Sequence, residues 1–384
     1  MPFEFSTANR IIFGNGVVAQ LGQLASEIGA RALLVGGRTP SRTQIVASRL
    51  EAHSVVHHTV TITQEPTVKE ILSGLEEARQ QRPDLVVAVG GGSVLDAGKA
   101  IAALLANPGE PLDYLEVVGR GKPLLQPAVP LIAIPTTSGT GAEVTRNAVI
   151  GVPEERVKVS MRSSYLLPRI ALIDPELTHS LPPAATASTG LDALTQCLEP
   201  FVSRQANPLT DAIAREGLRR AARSLHRAYT DGSNATARYD MAIASLCGGL
   251  ALANSKLGAV HGFAGVLGGM IGAAHGSICA SLLPFVTEAN ITALQAHDPS
   301  SEVLERFDEV ATLLTGNPSA RAPDAVTWLA ELCTTLDVSS LGALGLDSNQ
   351  IPEVVEKAAR ASSMKGNPID LSTEELEGIL QRAL

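Results

Sequence analysis

At 384 residues the chain far exceeds the ~150 residues of a typical single domain, which points to two domains and away from a small disulfide scaffold or a lone recognition module. Hydrophobic residues make up 45% and aromatics only 3%, so the core has to be built from Ala, Leu, Val and Ile. The net charge is −9, from 30 Lys+Arg against 39 Asp+Glu; with no long basic run, this argues against nucleic acid or an anionic membrane as principal partner.

In chain order, Val17, Leu21, Leu24 and Ile28 recur at the spacing of one helical face, and Gly29 follows as a stop. Ala32-Leu33-Leu34-Val35 then runs apolar without alternation, as a strand buried on both faces would. The pattern repeats: a helix around Ile45 to Leu50, a strand from Val55 to Ile62, a helix carrying Val68, Ile71, Leu72 and Leu75, and a strand from Leu85 to Val89. A helix from Val94 to Leu105 and strands at Leu131 to Ile134 and Ile170 to Ile173 complete this half. Such alternation predicts a parallel, doubly wound sheet over residues 1–181. Beyond Leu181-Pro182-Pro183 the texture changes to long Ala/Leu segments, Thr210 to Tyr229, Tyr239 to Asn254, Val303 to Leu314 and Ala325 to Leu336. Residues 182–384 are therefore expected to form a helical domain.

The amino-terminal MPFEFSTANRIIFG has no basic segment leading into a long apolar one, and no stretch approaches ~18 uninterrupted apolar residues. A cytoplasmic protein without membrane anchor is the expectation. Cys197, Cys247, Cys279 and Cys333 lie far apart with no CxxC pair, and all four read as buried small hydrophobes rather than as metal or disulfide residues.

Two loops carry the first chemical signal. Gly90-Gly91-Gly92-Ser93 leaves a predicted buried strand and opens a helix, where free backbone N–H groups and the helix dipole suit a phosphate. It is not the ordinary GxGxxG fingerprint, because Leu95 stands at the third glycine position. Pro135-Thr136-Thr137-Ser138-Gly139-Thr140-Gly141 follows the next core strand, and two such loops at strand carboxyl ends favour a bound dinucleotide.

GGGSVLDAGKA at 90–100, PTTSGTGAEVT at 135–145, IDPEL at 173–177, TGLDALTQ at 189–196 and GAVHGFAG at 258–265 together resemble the iron-containing (group III) alcohol dehydrogenase family, over nearly the whole chain. The resemblance implies the dehydroquinate synthase-like fold of that family: an amino-terminal nucleotide-binding α/β domain, a carboxyl-terminal helical domain and a divalent metal, Fe2+ or Zn2+, in the cleft between them. It also implies oxidation of alcohols, or reduction of aldehydes and ketones, with NAD or NADP, by a homodimer acting on a small-molecule substrate.

Carried over by position, the family's metal aspartate falls on Asp192 and two of its histidines on His261 and His275, which the resemblance makes the catalytic metal ligands. The family's histidine four residues after the aspartate is Gln196 here, which shares a helical face with Asp192 and offers a neutral carbonyl oxygen as a ligand or near neighbour. A further family histidine, four residues beyond the first, is Gly265, which implies a roomier pocket and no proton relay there. His53, His57, His58, His179, His226 and His297 fall outside the family's site positions. On this reading the ligand set holds two imidazoles and a carboxylate but no thiolate.

For the cofactor, the resemblance places Gly91, Gly92 and Ser93 at the pyrophosphate with Asp96 nearby, Thr136, Thr137 and Thr140 along the adjoining surface, and Lys158 within reach of the nucleotide; Glu143 reads as structural or capping. NAD-preferring members commonly place an aspartate after the strand that here ends in Val35, whereas this chain has Gly37 followed by Arg38, with Arg42 a turn later. Without the carboxylate that repels a 2′-phosphate, NADP(H) is expected to be accepted. Two rival readings remain at this stage, a maleylacetate reductase-like enzyme and a catalytically silent dinucleotide-binding or assembly protein, the latter suggested by Gln196 and Gly265.

Overall fold

The computed structural model describes residues 2–384. It divides into two compact units, residues 6–137 with Gly141–His179, and Ser180–Leu384 with residues 2–5 and Ser138–Thr140.

The first unit opens with β1 (Arg10–Phe13), followed by α1 (Leu21–Ser26), β2 (Arg31–Gly36), α2 (Pro40–Glu51), β3 (Val56–Thr61), α3 (Val68–Gln81), β4 (Leu85–Gly90), α4 (Gly92–Ala106) and the single turn α5 (Pro111–Tyr114). It closes with β5 (Leu131–Pro135), the hairpin strands β6 (Asn147–Val152) and β7 (Val157–Arg162), and β8 (Ile170–Ile173). Six strands form one sheet in the order β1-β8-β5-β4-β2-β3, every pair parallel. The unbroken apolar runs of β2, β4 and β5 follow from burial on both faces. Leu33, Val35, Val86, Ala88 and Ala133 enter one core, while Leu34, Val87, Val89, Ile132 and Ile134 enter the other, as the two-residue period of a strand requires.

The chain runs from β2 outward to β3 and then returns past β2 to β4. This reversal makes the carboxyl ends of β2 and β4 the switch point where open α/β sheets hold ligands. Two elements escape the hydrophobic pattern. β1 is a half-exposed edge strand, and β6–β7 is an antiparallel hairpin outside the main sheet. Val17–Gln20 is a 3-10 turn, so the first helical face is divided and its α-helical part ends at Ser26.

The second unit contains α6 (Pro183–Val202), α7 (Pro208–Thr230), α8 (Ala235–Asn254), α9 (Ala259–Ile271), α10 (His275–His297), α11 (Glu302–Thr315), α12 (Ala322–Thr335), α13 (Ile351–Ala359) and α14 (Thr373–Ala383). Their aliphatic faces share one core with Phe201, Phe263 and Phe307. α10 is long and apolar enough to cross a membrane, but 72% of its most apolar window is buried within the protein, as befits the central helix of this unit. Small residues let the helices approach closely. Gly217 of α7 faces Cys197 of α6 and Cys247 of α8, where a Cβ would lie 2.3 Å from the Cys197 Sγ.

Candidate active site

On α6, Asp192, Gln196 and Glu199 are spaced i, i+4, i+7 and so share one helical face. All three are buried, at 2, 2 and 4% exposure, a costly arrangement unless a partner compensates. His261 lies in the first turn of α9, and His275 opens α10 after the turn at Gly272, whose φ of +69° ends α9 in the left-handed conformation.

These elements bring Asp192, His261 and His275 together. The His261 Nε2 lies 3.3 Å from the Asp192 Oδ1 and the His275 Nε2 lies 3.8 Å from the same oxygen. The fourth member is Cys279, one turn beyond His275 on α10, with its Sγ 3.6 Å from the His275 Nε2 and 3.9 Å from the His261 Nε2. Taking one ligand atom from each residue, the four donors lie within 4.8 Å of one another. All four cysteines are buried, as expected, but the expectation that none belongs to the metal-ligating group is corrected for Cys279, whose sulfur lies among the other donors. Spacing within the chain could not separate it from the others, although the i, i+4 relation to His275 was the available signal.

The orientation of His261 is fixed from behind. Its Nδ1–H donates to the Glu199 Oε2 at 2.7 Å, and the other Glu199 oxygen accepts the Val260 N–H at 2.7 Å. Gly258 makes this approach possible, because a Cβ there would lie 2.9 Å from the Glu199 Oε1 and 3.0 Å from the Asn367 Oδ1. Asn367 in turn accepts the Ala259 N–H and is bonded to Asn290, so the first turn of α9 is held by two side chains from elsewhere in the fold. With the Nδ1–H directed to Glu199, it is the Nε2 of the ring that faces the Asp192 Oδ1. That oxygen and the Gln196 Oε1 are both buried without a hydrogen-bond partner. A buried carboxylate beside two imidazole nitrogens calls for positive charge, either protons on the rings or a cation.

The electrostatics place that positive charge on the imidazoles. Burial favours the neutral form of Asp192, but His261, His275 and the Gln196 amide outweigh it and hold the carboxylate below its ordinary range. Burial pushes His261 down, yet Cys279, Glu199 and Asp192 raise it well above a free imidazole. His275, opposed by burial and supported chiefly by Cys279, is raised to about 9. Burial disfavours the Cys279 thiolate, but the two imidazoles reverse the effect and lower its pKa. The other cysteines behave oppositely: burial pushes Cys247 and Cys333 up to about 12 and Cys197 well above the ordinary thiol range.

The sequence of this chain matches iron-containing alcohol dehydrogenase over residues 8–175 and the carboxyl-terminal region of the Fe-containing alcohol dehydrogenase family over residues 186–384. The chain belongs to the iron-containing alcohol dehydrogenase family. Alcohol dehydrogenase 4 of Saccharomyces cerevisiae is 36% identical over 319 residues, 83% of this chain and 80% of that protein. The 1,3-propanediol dehydrogenase of Klebsiella pneumoniae is 32% identical over 394 residues, 99% of this chain and 98% of its own length. Among solved structures, a 1,3-propanediol oxidoreductase superposes with a TM-score of 0.92 at 32% identity, covering 100% of both chains. The sulfoacetaldehyde reductase of Bifidobacterium kashiwanohense in complex with NAD+ superposes at 0.87 with 27% identity, covering 100% of this chain and 99% of that one. This member of the iron-containing alcohol dehydrogenase family is thus an oxidoreductase acting on CH–OH groups.

Within the α/β unit, Gly91 is the N-cap of α4, with Gly92 and Ser93 in its first turn. A Cβ on Gly91 would meet the Thr137 side chain at 3.2 Å, so the loops after β4 and β5 touch. Thr136 is buried, and its N–H donates to the Gly90 carbonyl at 2.9 Å. Arg42 of α2 reaches the Thr136 hydroxyl at 3.4 Å. Gly37 follows β2, while the Arg38 Nε bonds the Thr63 carbonyl. Asp96 accepts the Val149 N–H at 3.0 Å, which ties α4 to β6, and lies 3.6 Å from the ammonium of the buried Lys99 on the same helix. Lys158, on β7, pairs with Glu65. Thr140 belongs to the short segment grouped with the helical unit, where the neighbouring Ser138 has a buried hydroxyl without a partner.

Proposed function

We propose that this chain is an NAD(P)-dependent, metal-dependent alcohol dehydrogenase that also works as a carbonyl reductase. The observation that carries this reading is the convergence of the Asp192 Oδ1, the His261 Nε2 and the His275 Nε2, with the carboxylate oxygen buried and lacking any donor. One carboxylate and two imidazoles form a donor set that suits a divalent transition metal. When bound, such an ion supplies Lewis-acid stabilisation of the oxygen from which the alcohol proton departs, or polarises the carbonyl in reverse.

The chain's own residues do the rest. Glu199 holds the His261 ring so that Nε2 faces Asp192, which spares the site reorganisation during reaction. Gly265, on α9 one turn from His261, faces open space with no heavy atom within 4 Å of where a Cβ would stand. This admits a bulkier substrate and places no proton-relaying side chain at that position. The α4 N-terminus at Gly91, Gly92 and Ser93 binds the pyrophosphate through backbone N–H groups, with Thr136 and Thr137 beside it. NAD use is supported by the NAD+ complex of the sulfoacetaldehyde reductase neighbour, and NADP use by Gly37 and Arg38 after β2 with Arg42 on α2. A nicotinamide held there would supply the hydride acceptor for the alcohol, or the hydride donor for the carbonyl.

The test is metal analysis of the purified protein together with a panel of aldehydes, ketones and alcohols assayed with both nicotinamide cofactors. One divalent ion per chain and turnover that chelation abolishes are expected. Full metal content and rate in Asp192→Ala would overturn the assignment.

A further inference from the structure

We propose that Cys279 is a fourth protein ligand of this centre, taking over the role that family resemblance gives to an imidazole at position 196, and that the resulting thiolate site selects zinc over iron. The inference rests on the metal-dependent reading above and extends it to the ion's identity.

Three observations carry it. First, four of the donor separations come close to those of a coordination shell, and all four donors lie within 4.8 Å of one another. A tetrahedral ion held at about 2.0–2.1 Å from nitrogen and oxygen and about 2.3 Å from sulfur would separate N and O donors by about 3.3 Å and N and S donors by about 3.6 Å. The corresponding N···O separations are 3.3 and 3.8 Å and the N···S separations are 3.6 and 3.9 Å. Second, the Asp192 Oδ1 faces the cluster from a residue only 2% exposed and, among the described residues, closes no hydrogen bond. Third, the position that would bear the family's fourth imidazole is Gln196, whose amide is a weaker donor for a transition metal, while Cys279 is fully buried among the other ligands. One imidazole is lost from α6 and one thiolate is gained on α10, so the donor count is kept while the donors become softer and one negative charge is added. Softer, more anionic sites favour Zn2+ over Fe2+, which prefers the all-N,O set.

Spectroscopy of the cobalt-loaded full-length protein tests this without recourse to activity. Cobalt(II)-loaded natural protein is expected to bind one ion per chain and to show a sulfur-to-cobalt charge-transfer band in the near ultraviolet. Cys279→Ser should still bind cobalt but lose that band, and should lose zinc to a competing chelator at least about tenfold more readily. X-ray absorption of the zinc-loaded natural protein should give one sulfur per zinc, a measurement that does not depend on how the variant folds. One bound cobalt with no thiolate band, or a band that persists in Cys279→Ser, would overturn the thiolate assignment while leaving the metal site intact. A natural protein that binds neither cobalt, zinc nor iron would overturn the metal-dependent reading as well.

Discussion

At the scale of single residues, the site depends on Glu199 as much as on the residues that face the ion. Its carboxylate is buried, accepts from both the His261 ring and the α9 backbone, and thereby determines which ring nitrogen is free. Glu199→Gln keeps the shape but removes the charge and places an NH2 group against a donor. Metal retention measured by chelator competition should fall about 10- to 100-fold, with α-helix content unchanged by circular dichroism. Retention equal to the natural protein would show that the ring orients without this carboxylate. Gly265 invites the opposite kind of change. Because a Cβ there meets nothing within 4 Å, Gly265→Phe should fold normally and fill substrate space. Its kcat/KM should fall more for branched or secondary substrates than for short primary ones, and equal losses across a size series would remove position 265 from the pocket wall.

At the scale of elements, the β2–α2 and α4–β6 junctions make separate predictions. A side chain at Gly37 would touch only the Val94 Cγ2, at 3.4 Å, so Gly37→Asp is accommodated where NAD-preferring relatives were expected to carry a carboxylate. The variant should shift the ratio of kcat/KM for NADPH to that for NADH toward NADH by about 1–3 kcal/mol, through like-charge repulsion and a lost charge-assisted contact. A natural protein that strongly favours NADH, with no response to the substitution, would show that this turn does not read the ribose. Beside the second junction, Glu143 is buried in the turn Ala142–Val144, and burial raises its pKa from 4.5 to about 7, partly countered by a backbone hydrogen bond and by Lys99. The folded chain therefore binds this proton more tightly than the unfolded chain does. Stability falls as pH rises between 4.5 and about 7 and levels off above that range. Glu143→Gln should remove this slope, gaining up to about 3 kcal/mol over the natural protein above neutrality and little below pH 4.5. Denaturant unfolding across pH 4–8, with parallel slopes in the two proteins, would place the charge elsewhere.

At the scale of the whole molecule, the four donors all come from α6, α9 and α10, within the unit Ser180–Leu384. Ion binding should therefore stabilise this unit by linkage, because the unfolded chain offers no preformed cluster. Hydrogen exchange after chelation is expected to rise at the amides of these three helices, with β2, β4 and β5 retaining their protection. Uniform loss of protection over both units would show instead that the ion's binding energy is shared by the entire chain.

The sequence by itself determined the fold class and most of the elements that build it. Unbroken aliphatic runs at Leu33–Val35, Leu85–Val89 and Leu131–Ile134 can be satisfied only by strands covered on both faces, and Ala/Leu periodicity beyond residue 182 can be satisfied only by packed helices. It also supplied Asp192, His261 and His275, through motifs whose order along the chain is specific. Where burial was incomplete the pattern was weak, so the half-exposed edge strand Arg10–Phe13 left no clear period; the hairpin strands do alternate, with Ala148, Ile150, Val159 and Met161 buried, but their antiparallel pairing outside the parallel sheet is a tertiary outcome. The tertiary structure alone decided which polar residues converge. Glu199 and Cys279 are 80 residues apart in the chain and meet the same histidine from two helices, a relation that no local spacing encodes. The same packing gave one cysteine of four a chemical environment unlike the rest. Identical side chains differ only in what surrounds them, and the two imidazoles beside Cys279 are brought there only once α9 and α10 have docked.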